Sequence, residues 1–323
     1  MTVQTNADIL VTIFGGSGFL GRHVVRALAK RHYRIRVAVR RPELAGHLQP
    51  LGSVGQIHAV QANVRYPQSI EAAARGAQVV VNLAAILHER GQQQFDLVHA
   101  AGAERVALAA AAFGARLVHV SAIGADENST SHYARTKAQG EKSVFAAVPE
   151  ANVFRPSILF GPEDDFFNRF AAMARMSPVL PLIGGGHTRF QPAFVGDVAE
   201  AIALAVDGRA RPGVTYELGG PEVKTFRQLM EYVLAVTGRK RALVPLPFAV
   251  ARLQAMFLQF LPKPLLTSDQ VELLKYDNVV SQDAVREQRS FAGLGITPTA
   301  IEAVVPNYLW RFRKAGQFQT GRA

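Results

Sequence analysis

The chain has 323 residues, a length that favours two domains or one domain with a large appendage. It contains no Cys, which excludes disulfides and thiolate metal sites and is compatible with a reducing cytoplasm. Apolar residues make up 49% of the chain and charged residues 19%, which excludes an intrinsically disordered protein. The formal net charge of +11 favours anionic partners, such as nucleotide phosphates or acidic lipid head groups.

The positive charge is spread thinly along the chain. No basic tail or arginine-glycine run is present, so we expect no nucleic-acid partner. The first eight residues carry no basic side chain and the apolar run after them is short, so we expect no export signal. No apolar stretch reaches the roughly 18 residues of a spanning helix. We therefore predict a cytoplasmic protein that is at most peripheral to the inner face of the cell membrane.

Short β-branched runs alternate with helical patterns through the first half of the chain. Because these runs are continuously apolar, they are typical of strands that are buried on both faces of a parallel sheet. Right-handed crossovers between such strands give a Rossmann-type, doubly wound α/β fold. The predicted strands are residues 9–14, 35–39, 57–61, 79–83, 117–121 and 153–154.

Pro and Gly interrupt this alternation after Phe154, which indicates loops and a domain boundary. A helix at 195–206 and a strand at 214–218 are predicted to return to the main sheet. We therefore predict a dinucleotide-binding domain at 1–160, with 190–218 returning to it. Residues 161–189 and 219–323 are predicted to form a smaller, discontinuous C-terminal α/β lobe.

A glycine-rich loop follows the first predicted strand and opens a helix that runs toward Lys30. Its glycines have the spacing G-x-x-G-x-x-G. A Cβ atom at these positions would block the tight turn and the approach of backbone N–H groups to a pyrophosphate. The order strand, glycines, helix therefore predicts a nicotinamide dinucleotide held by Gly15, Ser17, Gly18, Phe19, Leu20 and Gly21.

Two arginines, Arg40 and Arg41, stand at the end of the second strand, where a carboxylate would bind the ribose 2′-hydroxyl of NAD. Guanidinium groups bind phosphate in a bidentate manner, so the pair favours NADP(H), which carries a 2′-phosphate. A solvated arginine pair is the alternative. Glu43 keeps NAD(H) open, because its carboxylate could bind the hydroxyl instead.

Tyr133 and Lys137 are four residues apart on a predicted helix and share one face. An ammonium group beside a phenol lowers the phenol pKa, so that the tyrosine can exchange a proton with a substrate oxygen. Ser121, at the end of the preceding strand, could bind the same oxygen. We take Ser121, Tyr133 and Lys137 as candidate catalytic residues, with a chance surface pair as the alternative.

Metal chemistry has little support in the sequence. The nine His residues show no ligand spacing, since His88-Glu89 is followed by Gln92 where a second His would be needed, and we expect no metal. The acidic run 163–165 could be read as paired catalytic carboxylates. Acids after a Pro at the start of a helix more simply interact with the helix dipole.

These motifs, with residues 82–85, 155–157, 195–199 and 218–221, resemble atypical or extended short-chain dehydrogenase/reductases of the NAD-dependent epimerase/dehydratase type. The resemblance covers residues 9 to about 237. Asn63 stands where an adenine-side Asp is usual, so we expect its amide to contact the adenine. The resemblance implies nucleotide contacts from Asn63, Val64, Leu83, Ala84, Ala85, Tyr133, Lys137, Pro156, Ser157 and Ile158, with Lys137 on the nicotinamide ribose.

More narrowly, residues 119–125, 133–141, 160–170 and 190–192 resemble bacterial relatives of the nucleotide-binding accessory subunit of respiratory complex I. That resemblance implies an NADPH that is held without turnover, and complex I subunits as partners. Because Ser121, Tyr133 and Lys137 are all present, a catalytic oxidoreductase or epimerase with a lipophilic or nucleotide-sugar substrate stays open. A nicotinamide-sensing regulator is a weaker alternative, since such proteins can dispense with the Tyr-Lys pair.

The segment 248–261 is predicted to be a helix that is apolar around most of its circumference. An internal helix of the smaller lobe is one interpretation. A helix lying on an anionic membrane surface, or a groove for an isoprenoid-like substrate, is another, supported by Arg239, Lys240, Arg241 and Lys263 near its ends.

Overall fold

The computed structural model describes residues 5–261, 264 and 266–314. The strands are β1 (Leu10–Phe14), β2 (Arg34–Val39), β3 (Ile57–Gln61), β4 (Val79–Asn82), β5 (Arg116–Val120), β6 (Asn152–Pro156), β7 (Leu159–Phe160), β8 (Val179–Ile183), β9 (Arg189–Phe190), β10 (Ala193–Phe194), β11 (Thr215–Leu218), β12 (Lys224–Thr225) and β13 (Ala242–Leu246). The helices are α1 (Phe19–Lys30), α2 (Pro67–Ala74), α3 (Ala101–Ala112), α4 (His132–Ala147), α5 (Phe167–Met176), α6 (Val195–Val206), α7 (Phe226–Thr237), α8 (Phe248–Leu258), α9 (Ser268–Leu273), α10 (Gln282–Arg286), α11 (Ile301–Val304) and α12 (Pro306–Leu309). A turn of π-helix, Asp96–Ala100, immediately precedes α3.

Seven strands form the main sheet in the order β11-β6-β5-β4-β1-β2-β3. Every neighbouring pair in it is parallel. The predicted Rossmann-type α/β fold is therefore confirmed. The chain moves from β1 outward to β3 and then resumes on the other side at β4, so the direction of winding reverses between β1 and β4. In doubly wound sheets, ligands bind at the carboxyl end of this switch point.

Two compact units make up the described chain. The first contains the main sheet and comprises the described residues up to Pro156 together with Gly196–Leu218 and Gln282–Ile296. The second comprises Ser157–Val195 and the described residues of Gly219–Ser281 and of the chain after Ile296. It contains three two-stranded pairs, which are β7 with β10, β9 with β12, and β8 with β13.

Two strands of the main sheet begin or end at residues other than those predicted. The strand predicted at 79–83 ends at Asn82, whose Oδ1 accepts a hydrogen bond from the Ala84 N–H at 3.1 Å and turns the chain out of the sheet. The strand predicted at 153–154 extends to Asn152–Pro156, because β5 and β11 offer backbone partners on both sides. The polar Arg155 and the Pro conceal this strand in the sequence.

Each unit has its own hydrophobic core. In the first unit, small side chains of α2 and α3, such as Ala73 and Ala107, pack against Val80 and Leu117 of the sheet. In the second, Phe160, Phe167 and Phe226 form an aromatic core with residues of α7 and α12. Small residues on α3 let that helix approach the strands closely, which fixes the elements around the carboxyl end of β4 and β5.

The acidic run 163–165 precedes α5, whose own first turn contains no acidic residue. Asp164 is only 3% exposed. Its carboxylate accepts hydrogen bonds from the N–H of Asn168 at 3.0 Å, from the N–H of Gly161 at 3.2 Å, and from the Tyr308 hydroxyl. Burial raises the pKa of Asp164, and the three donors oppose that rise. The carboxylate therefore joins α5 to the α12 segment within the second unit.

Helix α8 has one buried face and one exposed face. Ala251 and Ala255 are buried in a small cluster of the second unit, whereas Met256 and Phe257 are 50% and 71% exposed. The face with Ala251 and Ala255 is thus internal, as one interpretation predicted, whereas the face with Met256 and Phe257 is not. Lys263 lies outside the described residues. Across the part of the chain that the structure describes, no helix has the length and apolar character of a transmembrane span.

We expect Tyr308→Phe to destabilise the protein by about 1–3 kcal/mol, because it removes a donor from a buried carboxylate. Urea unfolding followed by circular dichroism measures the change. Tyr276→Phe is the matched control, since Tyr276 is 56% exposed and its substitution should leave the unfolding midpoint unchanged. Identical midpoints for both variants would show that the bond to Asp164 contributes no net stability.

Candidate functional site

The glycine loop leaves no room for side chains where β1 passes into α1. Gly15 has a φ of +80°, and a Cβ atom there would lie 3.0 Å from the carbonyl of Leu83. A Cβ atom at Gly21 would lie 2.5 Å from the Gly15 oxygen. The N–H of Gly18 donates to that same oxygen at 3.1 Å, and α1 begins at the next residue. The loop is therefore a main-chain cradle at the switch point of the sheet.

This cradle has the chemistry of a pyrophosphate site. The first turn of α1 contains no acidic residue and no side-chain cap bonds to it. Backbone N–H groups at a helix N-terminus bind anions, and bare glycine backbone lets a phosphate approach them. Ser17, Phe19 and Leu20 are partly buried around this turn, and the Phe19 ring packs edge-on against His23.

Arg40 and Arg41 directly follow β2, at the same edge of the sheet as the cradle. Both side chains are exposed, and neither guanidinium group bonds to another of the described residues. Glu43 is exposed in the short turn that follows. Arg40 and Arg41, which favour NADP(H), and Glu43, which keeps NAD(H) open, are therefore all exposed to solvent at the carboxyl end of β2.

Asn63 and Val64 directly follow β3. The side-chain oxygen of Asn63 accepts the backbone N–H of Arg65 at 3.1 Å. That oxygen therefore stabilises the local turn, and contact with an adenine would come from the other side-chain atom, the amide nitrogen. Val64 packs toward α3, because a Cβ atom added to Gly102 would lie 3.2 Å from it.

Leu83, Ala84 and Ala85 leave β4 beside the cradle. The N–H of Leu83 donates to the carbonyl of Phe14 at 2.9 Å, directly before Gly15. The structure thus brings this predicted segment into contact with the glycine loop.

Ser121 and the Lys137 ammonium both lie at the carboxyl end of β5. Ser121 is 4% exposed, and its hydroxyl has no hydrogen-bond partner among the residues that the structure describes. The Lys137 ammonium donates to the carbonyl of Val120 at 3.2 Å. Burial lowers the pKa of Lys137 to about 8, although Glu141 acts in the opposite direction. A buried hydroxyl beside a buried ammonium fits a polar ligand atom.

Tyr133 is half-buried in an aromatic setting. The Lys137 ammonium lies 5.9 Å from the centre of the Tyr133 ring. The Phe95 and His99 rings pack T-shaped against the same ring, with centre-to-centre distances of 5.6 and 5.1 Å. Ser131 caps α4 by accepting the N–H of Ala134 at 3.2 Å, which fixes the start of the helix that carries both residues.

A second layer of charges lies behind Lys137. Glu141, one helical turn further along α4, is 5% exposed and accepts the Nε–H of Arg155 at 2.9 Å. Arg155 also lies 3.9 Å from Glu217 on β11. Because Arg155 pairs with Glu141, that carboxylate only partly balances the lysine charge.

Two buried histidines, His99 and His119, belong to the site although sequence reasoning did not select them. The Oδ1 atom of Asn82 accepts from Ala84, so its NH₂ group faces Nδ1 of His119 at 3.2 Å and donates to it. The His119 proton is therefore on Nε2, which has no partner among the described residues. Burial lowers the pKa of His119 to about 3, and Lys137 contributes. The available signal was its position two residues before Ser121, which gives both side chains one strand face.

Pro156, Ser157 and Ile158 divide between the units. Pro156 belongs to the first, where its carbonyl accepts the N–H of Ile123 at 3.1 Å. Ser157 and Ile158 belong to the second. There Asn278 accepts from the Ser157 hydroxyl at 2.6 Å and from the Ile158 N–H at 3.1 Å. These two polar groups are thus engaged within the second unit.

Within the described ranges, no group of three or more His, Asp or Glu side chains is placed to hold a metal ion. The sheet order, the cradle and the Tyr133–Lys137 pair instead define a dinucleotide-binding protein of the Rossmann class. Residues 11–219 match the NAD dependent epimerase/dehydratase family, and the chain belongs to that family. Membership supports a nicotinamide dinucleotide as its ligand.

Three known proteins illustrate the similarity. The mitochondrial NADH dehydrogenase (ubiquinone) 1 alpha subcomplex subunit 9 of Arabidopsis thaliana is 36% identical over 323 residues, which covers 96% of this chain and 79% of that protein. Ceramide reductase of Caulobacter vibrioides is 38% identical over 181 residues, covering 56% of each chain. NADPH-dependent quinone oxidoreductase of Escherichia coli, solved with NADPH, shares the fold with a TM-score of 0.73 and 22% identity, covering 93% of this chain and 99% of that one.

The resemblance to the accessory-subunit family of complex I is therefore confirmed. The prediction of a cytoplasmic protein at the inner face of the cell membrane is contradicted, because the relatives from Arabidopsis thaliana and Neurospora crassa are mitochondrial subunits. The prediction depended on the lack of thiols, of an export signal and of a spanning stretch, and a chain without thiols is compatible with every redox compartment. The comparisons lend no support to an anionic membrane surface as a partner.

We expect Gly21→Ala to abolish nucleotide binding and to lower the melting temperature, since the new Cβ atom would overlap loop backbone. Isothermal titration calorimetry with NADPH and NADH measures the binding. Gly46→Ala is the control, because a Cβ atom at Gly46 meets nothing within 4 Å. Unchanged affinity in the Gly21 variant would show that the cradle does not hold the nucleotide.

Proposed function

We propose that this chain is an accessory or assembly protein of respiratory complex I that holds NADP(H) as a structural ligand. The observation that carries the proposal is the 36% identity to a complex I subunit across 96% of the chain, with the glycine cradle intact. The similarity extends through both units, so it includes more than the nucleotide fold. A match to the nucleotide-binding domain alone would not distinguish this function from those of other members of the family.

We assign residues of the first unit to three parts of the nucleotide. Backbone N–H groups of the cradle bind the pyrophosphate, and Arg40 with Arg41 pairs with the 2′-phosphate. Lys137 donates to the nicotinamide ribose. A bound nicotinamide supplies hydride-transfer chemistry, but retention does not require it. A ligand that binds only the folded chain adds to its stability.

We expect the purified protein to release NADP(H) on denaturation, identified by mass spectrometry, and NADPH to raise its melting temperature more than NADH. At a ligand concentration 100 times the Kd, the stabilisation is about 2.7 kcal/mol. The double variant Arg40→Ala/Arg41→Ala should weaken NADPH binding by roughly tenfold or more and leave NADH binding unchanged.

Arg26→Ala controls for the loss of positive charge, because Arg26 is exposed on α1. Equal melting shifts with the two coenzymes in the unaltered protein would refute the preference for NADP(H). Binding of neither coenzyme would refute the nucleotide-binding role itself.

A catalytic oxidoreductase or epimerase is the second candidate, with a lipophilic or nucleotide-sugar substrate. It is favoured by the Ser121, Tyr133 and Lys137 set, and by the ceramide reductase that is 38% identical over 181 residues. In that role the Tyr133 hydroxyl exchanges a proton with the substrate oxygen. The Lys137 charge favours the phenolate, and the Ser121 hydroxyl orients the substrate oxygen.

Tyr133→Phe separates the two candidates because it removes the hydroxyl and keeps the ring. For an accessory protein, we expect unchanged NADPH retention and unchanged co-purification with complex I subunits. For an enzyme, we expect at least a hundredfold loss of NADPH-dependent reduction of lipophilic ketones. Tyr276→Phe is the matched control. Loss of co-purification in the Tyr133 variant would contradict the accessory role as stated.

A further inference from the structure

His99 is a buried side chain on which three separate elements meet. Its ring stacks on Phe95 at 5.2 Å and packs T-shaped against the Tyr133 ring at 5.1 Å. Its Nε2 atom accepts the backbone N–H of Ile86 at 3.0 Å. Its Nδ1 atom lies 3.4 Å from the Thr136 hydroxyl. The His99 ring therefore joins the π turn to which it belongs with the segment after β4 and with α4.

The backbone around His99 forms a π turn on which α4 packs closely. The π turn Asp96–Ala100 widens the start of the α3 helical segment at this point, a local form that is often found at functional sites. Helix α4 packs directly on the turn, because a Cβ atom at Gly140 would lie 2.3 Å from the His99 oxygen. The ring thus has packed neighbours on both sides and little freedom to move.

The hydrogen bonds of His99 fix its protonation. Since Nε2 accepts from Ile86, the ring proton is on Nδ1, which faces Thr136. Burial and, after it, the charge of Lys137 lower the pKa of His99 to about 2, and the rings of His119 and His132 also face it. A protonated ring has no acceptor, so the bond from Ile86 requires the neutral form. The ring therefore stays a hydrogen-bond acceptor at physiological pH.

We propose that His99 is a positioning residue that holds the Tyr133 ring and the backbone of residues 84–86 at a fixed separation around the nicotinamide end of a bound dinucleotide. The inference rests on the proposed nucleotide-binding function. In this inference, the neutral His99 ring aligns the Tyr133 ring on α4 with the backbone of residues 84–86 after β4. Replacing His99 should therefore change the local structure at Ile86 and at Tyr133. The same replacements should also change the affinity for the nucleotide.

Two variants of His99 distinguish the effect of its hydrogen bond to Ile86 from the effect of its aromatic ring. His99→Phe keeps an aromatic ring and removes the acceptor, so amide hydrogen exchange at Ile86 should accelerate roughly tenfold. His99→Gln keeps an acceptor and removes the ring, so the ring signals of ¹³C-labelled Tyr133, assigned with Tyr133→Phe, should shift. We expect each variant to weaken NADPH binding severalfold. His58→Phe, on an exposed position of β3, should change none of these measurements.

Unchanged exchange at Ile86 in His99→Phe, or unchanged Tyr133 signals in His99→Gln, would overturn the proposal, as would unaltered NADPH affinity in both folded variants. If neither variant folds, the unaltered protein supplies the test. There the Ile86 and Tyr133 signals should stay constant between pH 5 and 8, and a transition near pH 6.5 reported by His99 would overturn the proposal. Failure of the unaltered protein to bind either coenzyme would instead count against the proposed function.

Discussion

The close contact of main chain with main chain at the end of β1 is the constraint on which the site depends. Gly15 lies so near the Leu83 carbonyl, and Gly21 so near the Gly15 oxygen, that neither tolerates a Cβ atom. Because no side chain fills this space, β1, α1 and the segment after β4 converge on a bare strip of backbone. The parallel sheet then brings Ser121 and the α4 residues to the same edge, since all its strands end on one side.

The electrostatics of the site follow from what surrounds Lys137. Its nearest carboxylate, Glu141, pairs with Arg155, and both neighbouring histidines are held neutral by burial. The ammonium therefore keeps a positive field that is only partly balanced and favours electron-rich ligand atoms such as ribose hydroxyls. Burying such a charge costs stability, so this arrangement is more easily explained by ligand binding than by folding.

Much of the fold could be predicted from the sequence because its signals are local. Continuous apolar runs mark the strands of the main sheet, and the glycine loop and the Tyr133–Lys137 spacing mark the site. The π turn and the roles of His99 and His119 depend on packing between elements that are distant in sequence. The two-residue strands of the second unit are too short to give a pattern. Likewise, Asn278 meets Ser157 across 121 positions, which no local motif records.

The intact Ser121, Tyr133 and Lys137 set does not by itself require turnover. Lys137 is held by α4 and by the Val120 carbonyl, and the proposed accessory role assigns its ammonium to a ribose. Phe95 and His99 both pack T-shaped against the Tyr133 ring, so two aromatic neighbours orient that ring. In the proposed accessory role, nucleotide retention draws on the Lys137 ammonium and the Tyr133 ring. In the catalytic alternative, the Tyr133 hydroxyl is the group that would exchange a proton with the substrate.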